Sequence, residues 1–243
     1  MAKSTVLILG ASSDVGKSLA EYYYSKGYGL VLAARNTSLV EAYLSKWPDR
    51  NEVKLLSFDA NEFSQHKEWF TNMGIVPDIT ICVFGYLGDQ EKASRNWDEC
   101  NRILISNYSG AVSILNVVAE VYRVKKKGVI AGISSVAGDR GRQSNYFYGS
   151  AKAGFTAYLS GLRNSLLSSG VHVLTVKPGF INTKMTAGLN LPKPLTAQPE
   201  QVAKAVYLGC KNRRNTIYVL PIWRLIMLVI KWIPEFIFKR LKL

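Results

Sequence analysis

Tyr148 and Lys152 stand four residues apart in Y-G-S-A-K, at the start of a segment with helical periodicity. On a helix, positions i and i+4 share a face. A tyrosine that exchanges protons near neutral pH needs its pKa brought down from about 10, and an adjacent ammonium favours the phenolate. The spacing therefore suits acid–base chemistry at an oxygen atom. Y-x-x-x-K alone reads most simply as a surface aromatic–lysine pair, and the residues upstream separate the two readings. Ser135 lies thirteen residues earlier in G-I-S-S-V-A-G, where a strand-like run ends. In a parallel α/β sheet the C-terminal strand ends line the ligand crevice. A hydroxyl there can polarise a carbonyl oxygen while Tyr148 protonates it. Asn107, 28 residues before Ser135 within a long helical segment, reads either as a neutral surface residue or as the holder of a water connecting Lys152 to solvent.

A second group of residues suits phosphate. The first strand-like run ends in G-A-S-S-D-V-G, with Gly10, Ser12, Ser13, Asp14, Val15 and Gly16 leading into a helix. Backbone N–H groups at such a turn point at an anion, and glycines let it come close. Many strand–glycine–helix junctions bind nothing, so the motif is suggestive only in company. Asp14 would repel a pyrophosphate, and is expected to cap the helix with its carboxylate turned away. Arg35 follows the second run in L-A-A-R-N. An acid at this point would bind a ribose 2′-hydroxyl, whereas an arginine pairs with a 2′-phosphate. That favours NADP(H), with NAD(H) the alternative; a solvated loop arginine is the plainer reading. Asp59, after the third run, either accepts from the adenine amine or simply ends its strand.

The elements that must position these groups are read from periodicity. Continuous apolar runs at Thr5–Leu9, Gly29–Ala34, Val53–Phe58, Ile79–Phe84, Val129–Ser134, His172–Val176 and Thr216–Leu220 suit strands buried on both faces. Helical segments separate them at 15–26, 37–47, 62–73, 93–125, 147–169 and 199–212. This alternation predicts an α/β fold: a doubly wound parallel sheet of about seven strands, with right-handed crossovers. The domain is expected over 1–220, followed by an amphipathic basic tail over 221–243.

Composition narrows the partners. Thirty-one Lys and Arg against seventeen Asp and Glu give a formal charge of +14, which favours an anionic partner. Cys82, Cys100 and Cys210 have no C-x-x-C spacing, and His66 and His172 stand alone. No metal site is expected. The basic residues form no recognised nucleic-acid motif. The apolar run at the N-terminus is too short for a signal peptide. No long uncharged window suggests a spanning helix. The tail carries Trp223 and Trp232, an apolar stretch from Leu225 to Ile230, and Arg224, Lys231, Lys239, Arg240 and Lys242 against the single acid Glu235. It suits a helix lying on an anionic membrane surface, or one packed on the domain or on a second subunit. If it is a membrane anchor, a chain ending at Leu220 should keep the Tyr148 site.

Residues 4 to about 220 resemble the short-chain dehydrogenase/reductase family. The resemblance is carried by Gly10 and Gly16, Asn107, Ser135, Tyr148, Lys152 and P-G-F-I-N-T over 178–183. It implies a Rossmann fold and oxidoreduction of a carbonyl or alcohol with NAD(P). Tyr148 would be the general acid/base. Lys152 would lower its pKa and bind the nicotinamide ribose, Ser135 would orient the carbonyl, and Asn107 would support proton relay. Pro178 and Gly179 would border the nicotinamide, with Ile181 and Thr183 at its carboxamide. Two positions depart from the family pattern: Asp14 stands where its middle glycine would be, and V-F-G-Y over 83–86 replaces its N-x-A-G. A cofactor-sensing protein without turnover would have no need of Tyr148 and Lys152. F-G-Y-L-G-D-Q at 84–90, P-G-F-I-N-T-K-M-T-A-G-L at 178–189 and the basic tail also resemble the reductase components of decaprenylphosphoryl-ribose 2′-epimerases. That narrower resemblance implies a keto sugar on a polyprenyl phosphate, a partner oxidase, and a cytoplasmic enzyme peripheral on the inner face of the plasma membrane. The alternative is a generic reductase or dehydrogenase for a soluble ketone or secondary alcohol. A homo-oligomer is left open.

Overall fold

The computed structural model describes residues 3–241, so Lys242 of the tail lies outside the described residues. The chain runs β1 (Thr5–Leu9), α1 (Asp14–Ser25), β2 (Gly29–Ala34), α2 (Thr37–Leu44), β3 (Val53–Ser57), α3 (His66–Asn72), β4 (Ile79–Cys82), α4 (Gln90–Arg95), α5 (Trp97–Leu104) and α6 (Gly110–Lys125). It continues with β5 (Val129–Ile133), α7 (Tyr146–Leu166), β6 (His172–Pro178), two short strands β7 (Phe180–Ile181) and β8 (Thr196–Ala197), α8 (Pro199–Lys211), β9 (Thr216–Val219), α9 (Ile222–Trp232) and α10 (Glu235–Phe238). Seven strands form one parallel sheet in the order β3-β2-β1-β4-β5-β6-β9. The predicted doubly wound sheet is therefore what the chain adopts.

Alternation within β1 shows why its run is continuously apolar. Val6 and Ile8 join a core with Leu19 and Val206, from α1 and α8. Leu7 and Leu9 join a second core with Leu115 and Leu159, from α6 and α7. Both faces are covered, so neither parity of the strand can be polar. Each such fully buried side chain contributes about 1.5–3 kcal/mol.

The single helix expected over 93–125 is instead three pieces. Asn96 is extended and caps α5, its side chain accepting from Glu99 N. Between α5 and α6 the helix widens into a π turn over Ile105–Ser109. There Asn107 donates its side-chain amide to Ile103 O at 2.8 Å, a bond that competes with the regular ladder. The run Trp97–Lys125 is long and apolar enough to cross a membrane by length and composition. Its Ile114, Leu115 and Val118 are nevertheless fully buried against the sheet.

The tail is not a simple appendage. Trp223 and Met227 on α9 are buried with Val136, beside Phe180, Leu195 and Tyr218. Arg140 caps the end of α9, donating to Ile230 O at 2.6 Å and also to Ile233 O, and pairs with Glu235 at 2.8 Å. On the opposite face Leu225, Leu228, Val229 and Trp232 are exposed, Trp232 by 79%. Packing therefore continues past the boundary expected at residue 220.

Candidate active site

The C-terminal ends of β1, β4, β5 and β6 open onto a cleft of two connected parts. One, of about 620 Å³, is lined by Ser12, Ser13, Asp14, Val15, Asn107, Ser135, Tyr148, Lys152, Pro178, Gly179, Ile181 and Thr183. The other, of about 210 Å³, is lined by Gly10, Arg35, Asp59, Asn61, Tyr86 and Arg102 and shares Ser12, Ser13, Phe84 and Gly85 with the first. All the residues singled out in the sequence meet here except Gly16, which lies behind the turn. The shape is that of an elongated ligand with one end at Arg35 and the other at Tyr148.

The glycine turn fits a pyrophosphate. Gly10 has φ +99°, and a Cβ there would stand 2.7 Å from Phe84 N. Ser13, not Asp14, caps α1, accepting from Gly16 N at 3.0 Å. The expected cap at Asp14 is thus corrected. Its carboxylate reaches across the cleft and accepts from Lys184 N at 2.7 Å. It is turned from the turn's N–H groups, and it ties the segment after β7 to α1. Arg35 is exposed and has no ion-pair partner among the described residues, which leaves its guanidinium free for a phosphate. Asp59 accepts from Asn61 N at 2.9 Å, so one oxygen closes its own turn.

V-F-G-Y has a local logic. Phe84 backs Gly10, and Gly85 lies between Asn107 and Lys152: a Cβ on it would fall 2.7 Å from Asn107 Oδ1 and 3.4 Å from Lys152 Nζ. Tyr86 N donates to Asn107 Oδ1 at 3.2 Å, and Tyr86 O accepts from Asn107 Nδ2 at 2.6 Å. Asn107 therefore clamps this turn. Tyr86 in turn donates its hydroxyl to buried Glu99 at 2.8 Å, with the Arg102 guanidinium 4.0 Å over its ring. Sequence reasoning missed Arg102, Asn61, Arg142 and Trp223 as cleft residues. The unusual Tyr86 was the one signal toward Arg102.

Ser135 follows β5 and caps a short 3₁₀ turn, its hydroxyl accepting from Ala137 N at 3.1 Å. Asp139 anchors the loop beyond: it pairs with Lys177 of β6 and accepts from Tyr218 Oη of β9 at 2.7 Å. Lys152 is 4% exposed and donates to Ile133 O at 3.0 Å, with Nζ 5.7 Å from the Tyr148 ring centre. The expected depression of Tyr148 by Lys152 is not the dominant effect. Burial pushes the phenol up to about 12, with the Ser135 hydroxyl pulling the other way. Burial likewise pulls Lys152 down to about 8. Desolvation penalises the charged form of each, and for both groups it is the largest effect. At neutral pH Tyr148 holds its proton and Lys152 is mostly charged. Such a cluster can donate a proton to a carbonyl oxygen and then stabilise the phenolate left behind.

Residues 4–193 match the short chain dehydrogenase family. The chain is 32% identical over 242 residues to an uncharacterized oxidoreductase of Mycobacterium tuberculosis, covering 97% of this chain and 96% of that one. It is 25% identical over 242 residues to the NADP-dependent 3-hydroxy acid dehydrogenase of Schizosaccharomyces pombe, covering 88% and 89%. A short chain dehydrogenase from Burkholderia cenocepacia, solved in complex with NADP, superposes with a TM-score of 0.83 at 16% identity, covering 98% and 97%. The extent of these matches, together with the Ser135, Tyr148 and Lys152 arrangement, means that this chain belongs to the short chain dehydrogenase family and is an NAD(P)-dependent oxidoreductase.

Proposed function

We propose that the protein reduces a ketone to a secondary alcohol using NADP(H). The observation that carries this reading is the convergence of Ser135, Tyr148 and Lys152 in one cavity, with Tyr148 protonated at neutral pH. Ser135 and Tyr148 both address the carbonyl oxygen, and Tyr148 delivers the proton. The Lys152 ammonium favours the phenolate that forms, and Asn107 clamps the turn at Tyr86 that runs beside Lys152. The cofactor, when bound, supplies the hydride. Gly10, Ser12, Ser13, Val15 and Gly16 would hold its pyrophosphate. Arg35 would take a 2′-phosphate and Asp59 the adenine side. Pro178, Gly179, Ile181 and Thr183 would border the nicotinamide. The NADP seen in the Burkholderia cenocepacia structure and named for the Schizosaccharomyces pombe relative supports the choice of NADP(H) over NAD(H). Tyr148→Phe should bind NADPH as the parent does and lose about 10²–10⁴ in ketone reduction. Undiminished turnover would remove Tyr148 from its role.

A narrower reading is favoured by the tail. The outward face of α9 and α10 exposes Leu225, Leu228, Val229, Trp232 and Phe236 among Arg224, Lys231, Lys239 and Arg240. Its single acid, Glu235, is matched by Arg140. This face supports membrane contact; together with the narrower sequence resemblance, the reading is an enzyme peripheral on the cytoplasmic face of the membrane, acting on a keto sugar carried by a polyprenyl phosphate in cell-surface polysaccharide synthesis, beside a partner oxidase. Binding to anionic vesicles should weaken with salt without vanishing, since screening removes the charge attraction and leaves the apolar contact. Indifference to such vesicles at low salt would return the assignment to a soluble ketone.

A further inference from the structure

We propose that the cavity holding Tyr148 contains an anion subsite at Arg142, so that the ketone it reduces carries a carboxylate or phosphate group. The inference rests on the reading of this cavity as the substrate site.

Arg142 lies in the loop between Ser135 and α7 and lines the cavity with Ser135, Asn145, Tyr148 and Trp223. Its Nε is buried, and among the described residues no acceptor is within hydrogen-bond reach. One terminal nitrogen is 3.2 Å from the Met227 sulfur, a weak acceptor. Asp139, three residues away, is already committed to Lys177 and Tyr218. Burial lowers the guanidinium from its ordinary value, and the Asp139 carboxylate offsets only part of that, without an ion pair to Arg142. Other partly buried arginines are treated differently. Arg140 has the carbonyls of α9 and Glu235, and Arg163 has Val173 O, Thr175 Oγ1 and Asn215 O. A half-buried guanidinium without an anion is costly to maintain. In a cleft beside titratable groups, it marks a ligand contact. The flat guanidinium fork matches a carboxylate or phosphate through two parallel bonds.

The test uses two matched pairs: dihydroxyacetone phosphate against dihydroxyacetone, and 3-oxobutanoate against its methyl ester. Each is titrated calorimetrically into full-length protein loaded with NADP⁺, and each is assayed for reduction with NADPH. At least one anionic member should bind about 10–150-fold more tightly than its neutral counterpart, the span of a hydrogen bond to a charged group. Which pair shows the preference separates phosphate from carboxylate. Arg142→Gln should erase the preference while leaving NADPH affinity and the neutral ketone within about twofold, and Arg142→Lys should restore part of it. If neither anionic ketone binds better than its neutral partner, or if Arg142→Gln weakens both members alike, the subsite is overturned. Failure of the reductase reading is distinguishable: Tyr148→Phe would then leave neutral-ketone turnover unchanged, whatever the charge preference.

Discussion

Two tryptophans nine residues apart on α9 should respond to substitution in opposite ways. Trp223 is 4% exposed, donates Nε1–H to Leu195 O at 3.0 Å, and packs so closely on Gly179 that a Cβ there would fall within 2.0 Å of its ring. Replacing a buried tryptophan with alanine costs about 3–5 kcal/mol. One edge of this ring faces the cavity, so the lower figure applies, and the orphaned carbonyl adds about 1 kcal/mol. A chain of this size loses about 2–3 kcal/mol per molar urea, so Trp223→Ala should lower the unfolding midpoint by about 1.5 M. Trp232 is 79% exposed. Trp232→Ala should stay within about 0.5 kcal/mol of the parent, as surface changes do, a shift of roughly 0.2 M. Urea titration followed by circular dichroism measures both. Truncation after Leu220 removes Trp223 and Met227 together and should cost a large part of the total stability, which is about 5–15 kcal/mol for a domain. Equal shifts for the two tryptophans, or a truncated chain with the parent midpoint, would show that α9 is an appendage and that its packing adds nothing.

The remaining expectations concern the cleft. Arg35→Ala should reduce a preference for NADPH over NADH by about 10–100-fold, the value of a charge-assisted pair with a 2′-phosphate; nicotinamide fluorescence titration decides it, and an unchanged ratio refutes it. Lys152, pulled down to about 8, is charged below that pH and neutral above it, while Tyr148 keeps its proton throughout. Reduction measured as kcat/KM should therefore be flat near pH 7 and fall as pH rises through about 8. A rise over that range would reverse the assigned charge states. Asp14→Ala removes the hydrogen bond from Lys184 N and should let the segment over 183–186 open, speeding NADPH release by about tenfold. Stopped-flow release at the parent rate would leave Asp14 without that role.

The sheet was legible because its inner strands are buried on both faces, so composition alone marks them, while the edge strands β3 and β9 are only partly buried. Val6 to Leu9 need no partner sequence to be read as a strand. Tyr148, Lys152 and Ser135 were legible because helix spacing and strand ends place them without knowledge of long-range packing. Arg102 and Arg142 were not legible, because their meaning depends on what they lack or what lies opposite. Arg102 becomes a cleft residue when the end of β4 brings Tyr86 beneath it. Arg142 becomes informative when Asp139 proves to be engaged elsewhere. The tail was only partly legible for a related reason. Its sequence is amphipathic, which is compatible with a membrane surface or a protein surface, and α9 offers apolar side chains to both sides. Trp223 and Met227 point inward while Leu225, Leu228, Val229 and Trp232 point outward.

The two faces of α9 join the exposed tail to the loop that carries the chemistry. Its inner face touches Val136, next to Ser135, and Met227 meets Arg142. Arg140, between those points, holds the last carbonyls of the helix. The loop carrying Ser135 and Arg142 is therefore packed directly against the inner face of the helix. The same loop is held from below by the buried Asp139, Lys177 and Tyr218 cluster. A buried pair of this kind is weak as a source of stability, and breaking it by removing one member costs about 3–5 kcal/mol. Its effect is to set the loop in one position beneath the inner face of α9, so that Ser135 and Arg142 are held from two sides.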